Sequence, residues 1–451
     1  MDKELATEPN KDNARPLYKK LTLANLLNWF ALRSLRAYTK ICARLILYAI
    51  DLDPSREVFR KNLKDLNLSN ASFRGKKRKF IFCTFSDVNK YNHEEVTFFY
   101  TNKAISLSKP KVYNPNITVP DSYACTAYLP DAYLAIVKDA QIFAGTDLII
   151  VGNMAIYDEI NKEELNQSAI KSPIVSAVNA NEMTINMPKG KKHINEGIHL
   201  TKDHSINYFH WLIECLSRLS LISDLNVDIP LLVDDFLPIQ FYDALDMLNS
   251  GKRKIIRMRK DYSYIIKKLY YPSRLSIVRD NYGLPVYDKD AIYSAEGVQF
   301  VRKAILAKIS SEVEPGRKIF ISRKNSSYRQ LLNSVEVENL LVSRGFEIIF
   351  PENLSFLSQV KIFSQAKIII GQSGAGMANF IFAPKTAKVL MMLSDAPGSN
   401  LQLFNALAEV VGIHLEYLIG KTTSVLKKYN LHSDFHVDIN LLEDYLDKER
   451  L

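Results

Sequence analysis

Two short stretches of this chain combine residue types that suit an anion. The first runs from Arg323 to Arg329 and directly follows the apolar run RKIFIS, residues 317–322. The second is Ser373-Gly374-Ala375-Gly376, which follows KIIIG, residues 367–371. A guanidinium is a planar fork of donors that fits phosphate oxygens. Small side chains let backbone N–H groups approach an anion, and a helix N-terminus beside them adds partial positive charge. Ser373 adds a hydroxyl. Together the two stretches would suit a diphosphate. Each also has a plainer reading. The glycine loop matches neither a dinucleotide fingerprint nor a Walker loop. Taken alone it is a turn that lets a helix pack closely on a sheet, and the arginines alone are solvated surface residues. Both loops leaving the same edge of one sheet favours the ligand.

A third cluster is HSINYFHWLIECLSRL, residues 204–219. His210 and Glu214 are spaced by four, so on a helix they share a face. A carboxylate there can orient an imidazole, and such a pair can act as a general base. The competing reading is a buried histidine satisfied by a local carboxylate, with no catalytic part. Asp203 and His204 are further candidates just upstream. The acidic pairs Asp51/Asp53 and Asp234/Asp235 read as solvated turns, and no metal site is expected.

The elements that must position these groups are legible as apolar runs. Residues 51–195 are β-rich, with FIFCTF, VTFFYT and DLIIVG bounded by turn formers. From about 196 onward strands and helices alternate. IPLLV, KIIRM, RKIFIS, FEIIF, KIIIG and KVLMML read as strands. PIQFYDALDMLNSG, EGVQFVRKAILAKI, SVEVENLLVSRG and SFLSQVKIFSQ read as helices, the third capped by Asn333 with Glu336 and the fourth by Ser355. This alternation implies an α/β fold with a parallel sheet covered by helices. Ligands bind such sheets beyond the carboxyl ends of the strands, where both anion-suited loops fall.

The chain carries a net charge of +10 over 451 residues, which favours an acidic partner. Its basic residues are scattered and no nucleic-acid motif is present, so no nucleic acid is expected. The four cysteines are far apart, which disfavours a disulfide framework and fits a reduced, cytoplasmic compartment. The N-terminus lacks the apolar stretch of a signal peptide, and no run is apolar enough for a transmembrane helix. Residues 1–20 form a polar tail. Within 21–50, Arg33, Arg36, Lys40 and Arg44 lie on one helical stripe with no acidic residue. That amphipathic helix suits an anionic membrane surface and equally suits docking on the protein's own core.

The long ordered set of these residues resembles glycosyltransferase family 61. The set is Ser322-Arg323, Arg329, Asn333, Pro351-Glu352, Ser355, Gln359, Phe363, Ala366, Gly371, Gly374-Ala375-Gly376, Asn379, Phe382 and Pro384. Upstream, Asn207-Tyr208-Phe209-His210-Trp211 is similar to the family's N-Y-x-H-W signature, and DFHVDINLLEDYL, residues 434–446, is similar to the end of bacterial members. The resemblance covers roughly 200–445. It implies a GT-B architecture, two Rossmann-like domains facing a cleft: an acceptor-side domain over 196–310 and a donor domain over 311–451. It implies inverting transfer from a nucleotide sugar to a glycan or lipid-linked glycan, with no cofactor or bound metal. Carried onto this chain, Arg323, Arg329, Ser373, Gly374, Ala375 and Gly376 would hold the donor diphosphate. His210 and Glu214 would be catalytic, and Asn207, Tyr208, Trp211, Glu352 and Asn379 would line the acceptor side or support it. Two positions depart from the family. Ser373 stands where relatives often carry histidine, and Ser334 follows Asn333 where a glutamate is common. The expected role is bacterial surface polysaccharide synthesis, capsule or O-antigen, at the inner face of the inner membrane. A pyruvyl transferase on the same scaffold, or a degenerate glycan-binding subunit, are the alternatives.

Overall fold

In the computed structural model, strands and helices build two large sheets and two small ones. The structure describes residues 76–89, 96–158, 172, 174–249, 252–278, 290–309, 314–423 and 432–450. The tail and helix expected at 1–50 lie outside them, as does the pair Asp51/Asp53.

The first sheet includes β1 (Lys77–Cys83), β2 (Ala132–Phe143), β3 (Gly190–His199), β4 (Leu231–Asp234), β5 (Ile255–Met258) and β6 (Tyr262–Pro272). Its order begins β5-β4-β3-β6-β2 and continues through shorter strands to β1 and beyond. The first four are mutually parallel, and β6 then pairs antiparallel with β2. The β-rich region and the alternating region therefore share one sheet, and residue 196 lies inside β3. The first half of β3, GKKHINE, is polar and largely solvent-facing, so no apolar run marks it in the sequence. The basic run at 76–79 leads into β1 and is solvent-exposed or nearly so.

The second sheet contains β7 (Arg317–Ile321), β8 (Glu347–Ile349), β9 (Ala366–Gln372), β10 (Lys388–Ser394) and β11 (His414–Thr422). Their order is β8-β7-β9-β10-β11, all parallel. Buried on both faces over most of their length, β7, β9 and β10 are near-continuous apolar runs. Successive side chains go to opposite cores: Ile319, Ile321, Ile369, Val389 and Met391 to one, Phe320, Ile368, Ile370, Leu390 and Met392 to the other.

Helices cover both faces. They include α1 (Ile239–Asn249), α2 (Ala295–Leu306), α3 (Ser334–Ser343), α4 (Phe356–Ser364), α5 (Gln402–Val411) and α6 (Ile439–Lys448). On the second sheet, α4, α5 and the 3-10 segment Ala375–Phe382 contribute to the first core. α3 and α6 contribute to the other. The chain thus leaves β7 toward one face and leaves β9 toward the opposite face, although β7 and β9 are neighbours. A crevice at the carboxyl ends of such a strand pair is the topological switch point where doubly wound sheets bind ligands.

Helix starts follow the expected chemistry with one exception. The Ser355 side chain accepts from the Ser358 N–H at the start of α4. Asn333 occupies the cap position of α3 but makes no capping bond. Its amide instead donates to the Val437 carbonyl at 2.8 Å and accepts from the Val437 N–H at 3.2 Å. The backbone ahead of α6 has no neighbouring strand at that point, and the asparagine satisfies both of its polar groups. Among the described residues no helix is long and apolar enough to cross a membrane. All of them fall within one compact unit, Phe73–Leu451.

Candidate active site

Arg323 follows Ser322 off the end of β7, at the switch point. Its guanidinium lies directly against Gly374, in the loop after β9. A Cβ added at Gly374 would lie 1.8 Å from Arg323 Nη1 and 2.7 Å from its Cζ. Only a residue without a side chain admits the arginine there. Arg323 Nη2 donates to Ser326 Oγ at 2.9 Å, while its Nε is buried without a partner. Burial and the nearby Arg329 together lower Arg323 to about 10. Arg329 is also without a partner at Nε. Its backbone is left-handed, with φ 55°, and its N–H donates to the His432 carbonyl at 3.1 Å. The Tyr328 ring centroid is 5.7 Å from Arg323 Cζ and 5.3 Å from Arg329 Cζ. Glu352 accepts from Asn325 at 3.1 Å and so tethers this loop to the turn Pro351–Asn353.

The small-residue loop serves packing and exposure at once. Gly371 is a packing glycine, because a Cβ there would meet Met377 Sδ at 2.5 Å and Ile321 Cβ at 2.9 Å. The Ser373 N–H, expected to face a ligand, donates instead to Met392 O at 2.8 Å and extends the β9–β10 pairing. The free end is therefore narrower than expected, and it is the first turn of the 3-10 segment, Ala375 and Gly376, that has amides without intrahelical partners. Gln372, beside them, is fully buried with its Oε1 unpartnered.

The segment Tyr208–Ile222 reaches this loop from the other sheet. It starts as one α turn, Tyr208–His210, capped by Asn207, whose side chain accepts from Phe209 N–H at 2.9 Å. It continues as a π turn, Trp211–Cys215, and a 3-10 turn, Leu216–Ile222. The single helix expected here is thus three kinds of turn, and π turns gather at functional sites. The i,i+4 contact survives: His210 Nδ1 bonds Glu214 Oε2. The Tyr208 hydroxyl donates to Asn379 Oδ1, and Asn379 donates onward to Gln359 at 2.7 Å. Burial pushes the Tyr208 phenol up, so it stays a donor. Phe209 and Phe380 both pack on Phe404, at 5.4 and 6.2 Å between centroids. Trp211 is fully buried, stacks on Phe241 and donates to its carbonyl at 3.0 Å, so it supports the segment from behind.

Around this segment the carboxyl ends of β3 and β4 hold a buried polar network. Asp203 accepts from the Tyr157 hydroxyl at 2.7 Å and from Thr146 Oγ1 at 3.0 Å, which makes it a structural acceptor. Asp147 lies 3.3 Å from Arg218 and 3.4 Å from His199. Burial alone would raise the Asp147 carboxyl, but Arg218 and His199 hold it well below the usual range. Arg218 also donates to the Pro272 carbonyl at 2.8 Å. Asp234 is not in a solvated turn: it is 1% exposed and accepts from Ser205 Oγ at 2.6 Å and Gly145 N–H at 2.7 Å. Burial raises its carboxyl to about 7. Lys202 lies 3.6 Å from Glu214 Oε1. Sequence reasoning missed Lys202, Asp147 and Arg218: the first and last lie in or beside the 204–219 stretch, but their partners Glu214 and Asp147 are fixed only by the fold. Among the described residues no cluster of metal-ligating side chains is present.

Residues 208–390 match the sequence model of a family described as Glycosyltransferase 61. The match begins at Tyr208 and ends within β10, so it takes in His210, Glu214, both arginines and the small-residue loop. No curated protein matches the chain.

Proposed function

We propose, for a glycosyltransferase carrying a family 61 domain over residues 208–390, that the sugar comes from a nucleotide-sugar donor and is transferred with inversion to a glycan acceptor. The observation that carries this reading is the Arg323 guanidinium seated on Gly374 at the switch point, with Arg329 beside it. Two cations held close together in a partly buried crevice repel one another, and a diphosphate removes both costs. The first amides of the 3-10 segment add donors on the same side.

In the proposed step the acceptor hydroxyl oxygen forms a bond to the anomeric carbon. The bond from that carbon to the diphosphate oxygen breaks on the opposite face. The electron pair leaves on the diphosphate, where Arg323 and Arg329 offset the developing charge. The hydroxyl proton goes to His210 Nε2. Glu214 keeps the other imidazole proton on Nδ1 and stabilises the imidazolium. The products are a glycoside and a nucleoside diphosphate. The two arginines supply the charge a divalent cation would otherwise bring, and the proposal includes no metal.

The finer reading is a GT-B arrangement, with the β3–β6 sheet on the acceptor side and the β7–β11 sheet on the donor side. The placement of both loops at carboxyl strand ends supports it. The acceptor is proposed as a bacterial surface polysaccharide, capsule or O-antigen, held at the inner face of the membrane, on the resemblance of residues 434–446 to bacterial members. Deleting residues 1–50 should release the protein from anionic liposomes if that stretch is the membrane contact, and unchanged binding removes that part.

A thermal-shift screen of nucleotide sugars, with phosphoenolpyruvate as a separate arm, tests the donor class. Stabilisation by one nucleotide sugar is expected, and Arg323→Ala should weaken it by about 10- to 100-fold, the worth of one charge-assisted contact. Stabilisation by phosphoenolpyruvate alone points to a pyruvyl transferase. Turnover unaffected by Arg323→Ala overturns the diphosphate assignment.

A further inference from the structure

Lys202 sits in the loop after β3 and has no part in the reading above. Its side chain is 6% exposed, that of Glu214 is 5% exposed, and its ammonium lies 3.6 Å from Glu214 Oε1. The other carboxylate oxygen, Oε2, bonds His210 Nδ1. One buried carboxylate is therefore shared between an ammonium and an imidazole, one oxygen for each. A buried carboxylate needs a cationic partner, and which partner it has decides where the proton sits.

We propose that Lys202 is a positioning residue for the transfer: it holds Glu214 as a carboxylate so that Glu214 orients His210 without drawing a second proton onto it. The inference rests on His210 being the base. Without Lys202, more of the charge of Glu214 would act on His210 and favour the imidazolium, which has no lone pair to accept a proton. With Lys202 present the carboxylate is already partnered, and the imidazole stays neutral with Nε2 basic. The other ionisable groups around His210 are few. From the loop after β3 come Asp203, which is committed to Tyr157 and Thr146, and His204, whose ring centroid is 5.8 Å from that of His210. Arg218 is turned to Asp147 and Pro272, and Asp234 to Ser205 and Gly145. Lys202 is a cation that the structure places on Glu214.

The direction of the effect follows from charge alone. Removing a cation near a histidine raises the pH at which the histidine gives up its proton. Lys202→Met should therefore move the ascending limb of the kcat/KM profile upward by about one pH unit. The variant should melt lower, because Glu214 loses a buried partner, while the donor KM of the folded protein should change little. Lys202→Arg keeps the charge and should keep the wild-type limb. Should the methionine variant fail to fold, Lys202→Gln carries the same expectation by the same readout. A wild-type limb in a folded, neutral variant overturns the proposal. So does an equal shift in the neutral and arginine variants, because that would report packing rather than charge. His210→Ala separates this inference from the reading beneath it. If that variant keeps wild-type turnover, the base assignment fails and the role of Lys202 with it. If it is inactive while Lys202→Met has an unshifted limb, only the role of Lys202 fails.

Discussion

The carboxyl ends of the parallel strands in the two large sheets are built from the same polar residue types and are finished in opposite ways. At the edge of β3 and β4, charge is paired. Asp147 has Arg218 and His199, Glu214 has Lys202 and His210, and Asp234 has a hydroxyl and an amide. At the edge of β7 and β9, charge is left open. Arg323 feels the positive charge of Arg329 more than the nearby Glu352 carboxylate, and both Nε atoms are buried and unpartnered, as is Gln372 Oε1. A buried group without a partner costs free energy, and an arriving anion would offset that cost at the two arginines. The first edge fixes the geometry of its own side chains. The second is the proposed seat of the donor diphosphate.

Three substitutions would break or sharpen that contrast, and the largest effect belongs to the first edge. Arg218→Met leaves Asp147 buried without its main cation, and loss of one partner of such a pair costs about 3–5 kcal/mol. The variant should lose most of its thermal stability. A melting temperature within a few degrees of wild type would show that His199 alone suffices for Asp147. Gly374→Ala belongs to the second edge and should do the reverse. The new methyl would strike the tip of a flexible arginine, which can move, so melting should stay close to wild type. Donor affinity should fall about tenfold as Arg323 is displaced, in line with a lost charge-assisted contact. Equal donor binding by isothermal titration would detach Gly374 from the donor site.

The smallest effect is a change of pH slope at Asp234. Its carboxyl is raised to about 7 in the fold against an ordinary 3.8. The folded state therefore holds that proton while the unfolded state has released it. Stability from this group is present below the unfolded value and is lost as pH rises toward 7, after which it is flat. Asp234→Asn keeps an acceptor for Gly145 and presents an amide to Ser205, whose oxygen can accept. The variant should flatten the dependence of melting temperature on pH between about 4 and 7. A slope identical to wild type would show that other groups set it.

How much of this was legible in the sequence differs between the same two edges. The strands of the second sheet are short apolar runs with clear stops, and Arg323, Gly374 and Gly376 stand at its loop ends as read. The alternating period and the turn residues carry that information locally. The first sheet hid more. The front of β3 is polar, so its extent and its pairing with β6 are set by partners remote in sequence. Asp234 read as a surface turn because an Asp-Asp pair after a strand carries no sign of what will cover it. Ser373 was placed at the ligand by its neighbours, yet its N–H is used by the sheet, a detail of register that spacing alone does not encode. The His210–Glu214 contact was read correctly even though the helix assumed for it is a π turn.

The position of β6 also bears on modularity. Both of its neighbours in the sheet, β3 and β2, come from residues before 208, and β10 pairs with β11, which comes after 390. The stretch that matches the family model therefore starts and stops where hydrogen bonding does not. Expressed by itself, residues 208–390 would leave β6 bare along two edges, strip β4 of β3 and cut β10 after three residues, an invitation to self-association. The inherited chemistry of this enzyme is not a transplantable part: its secondary structure is completed by segments that the family signature does not include.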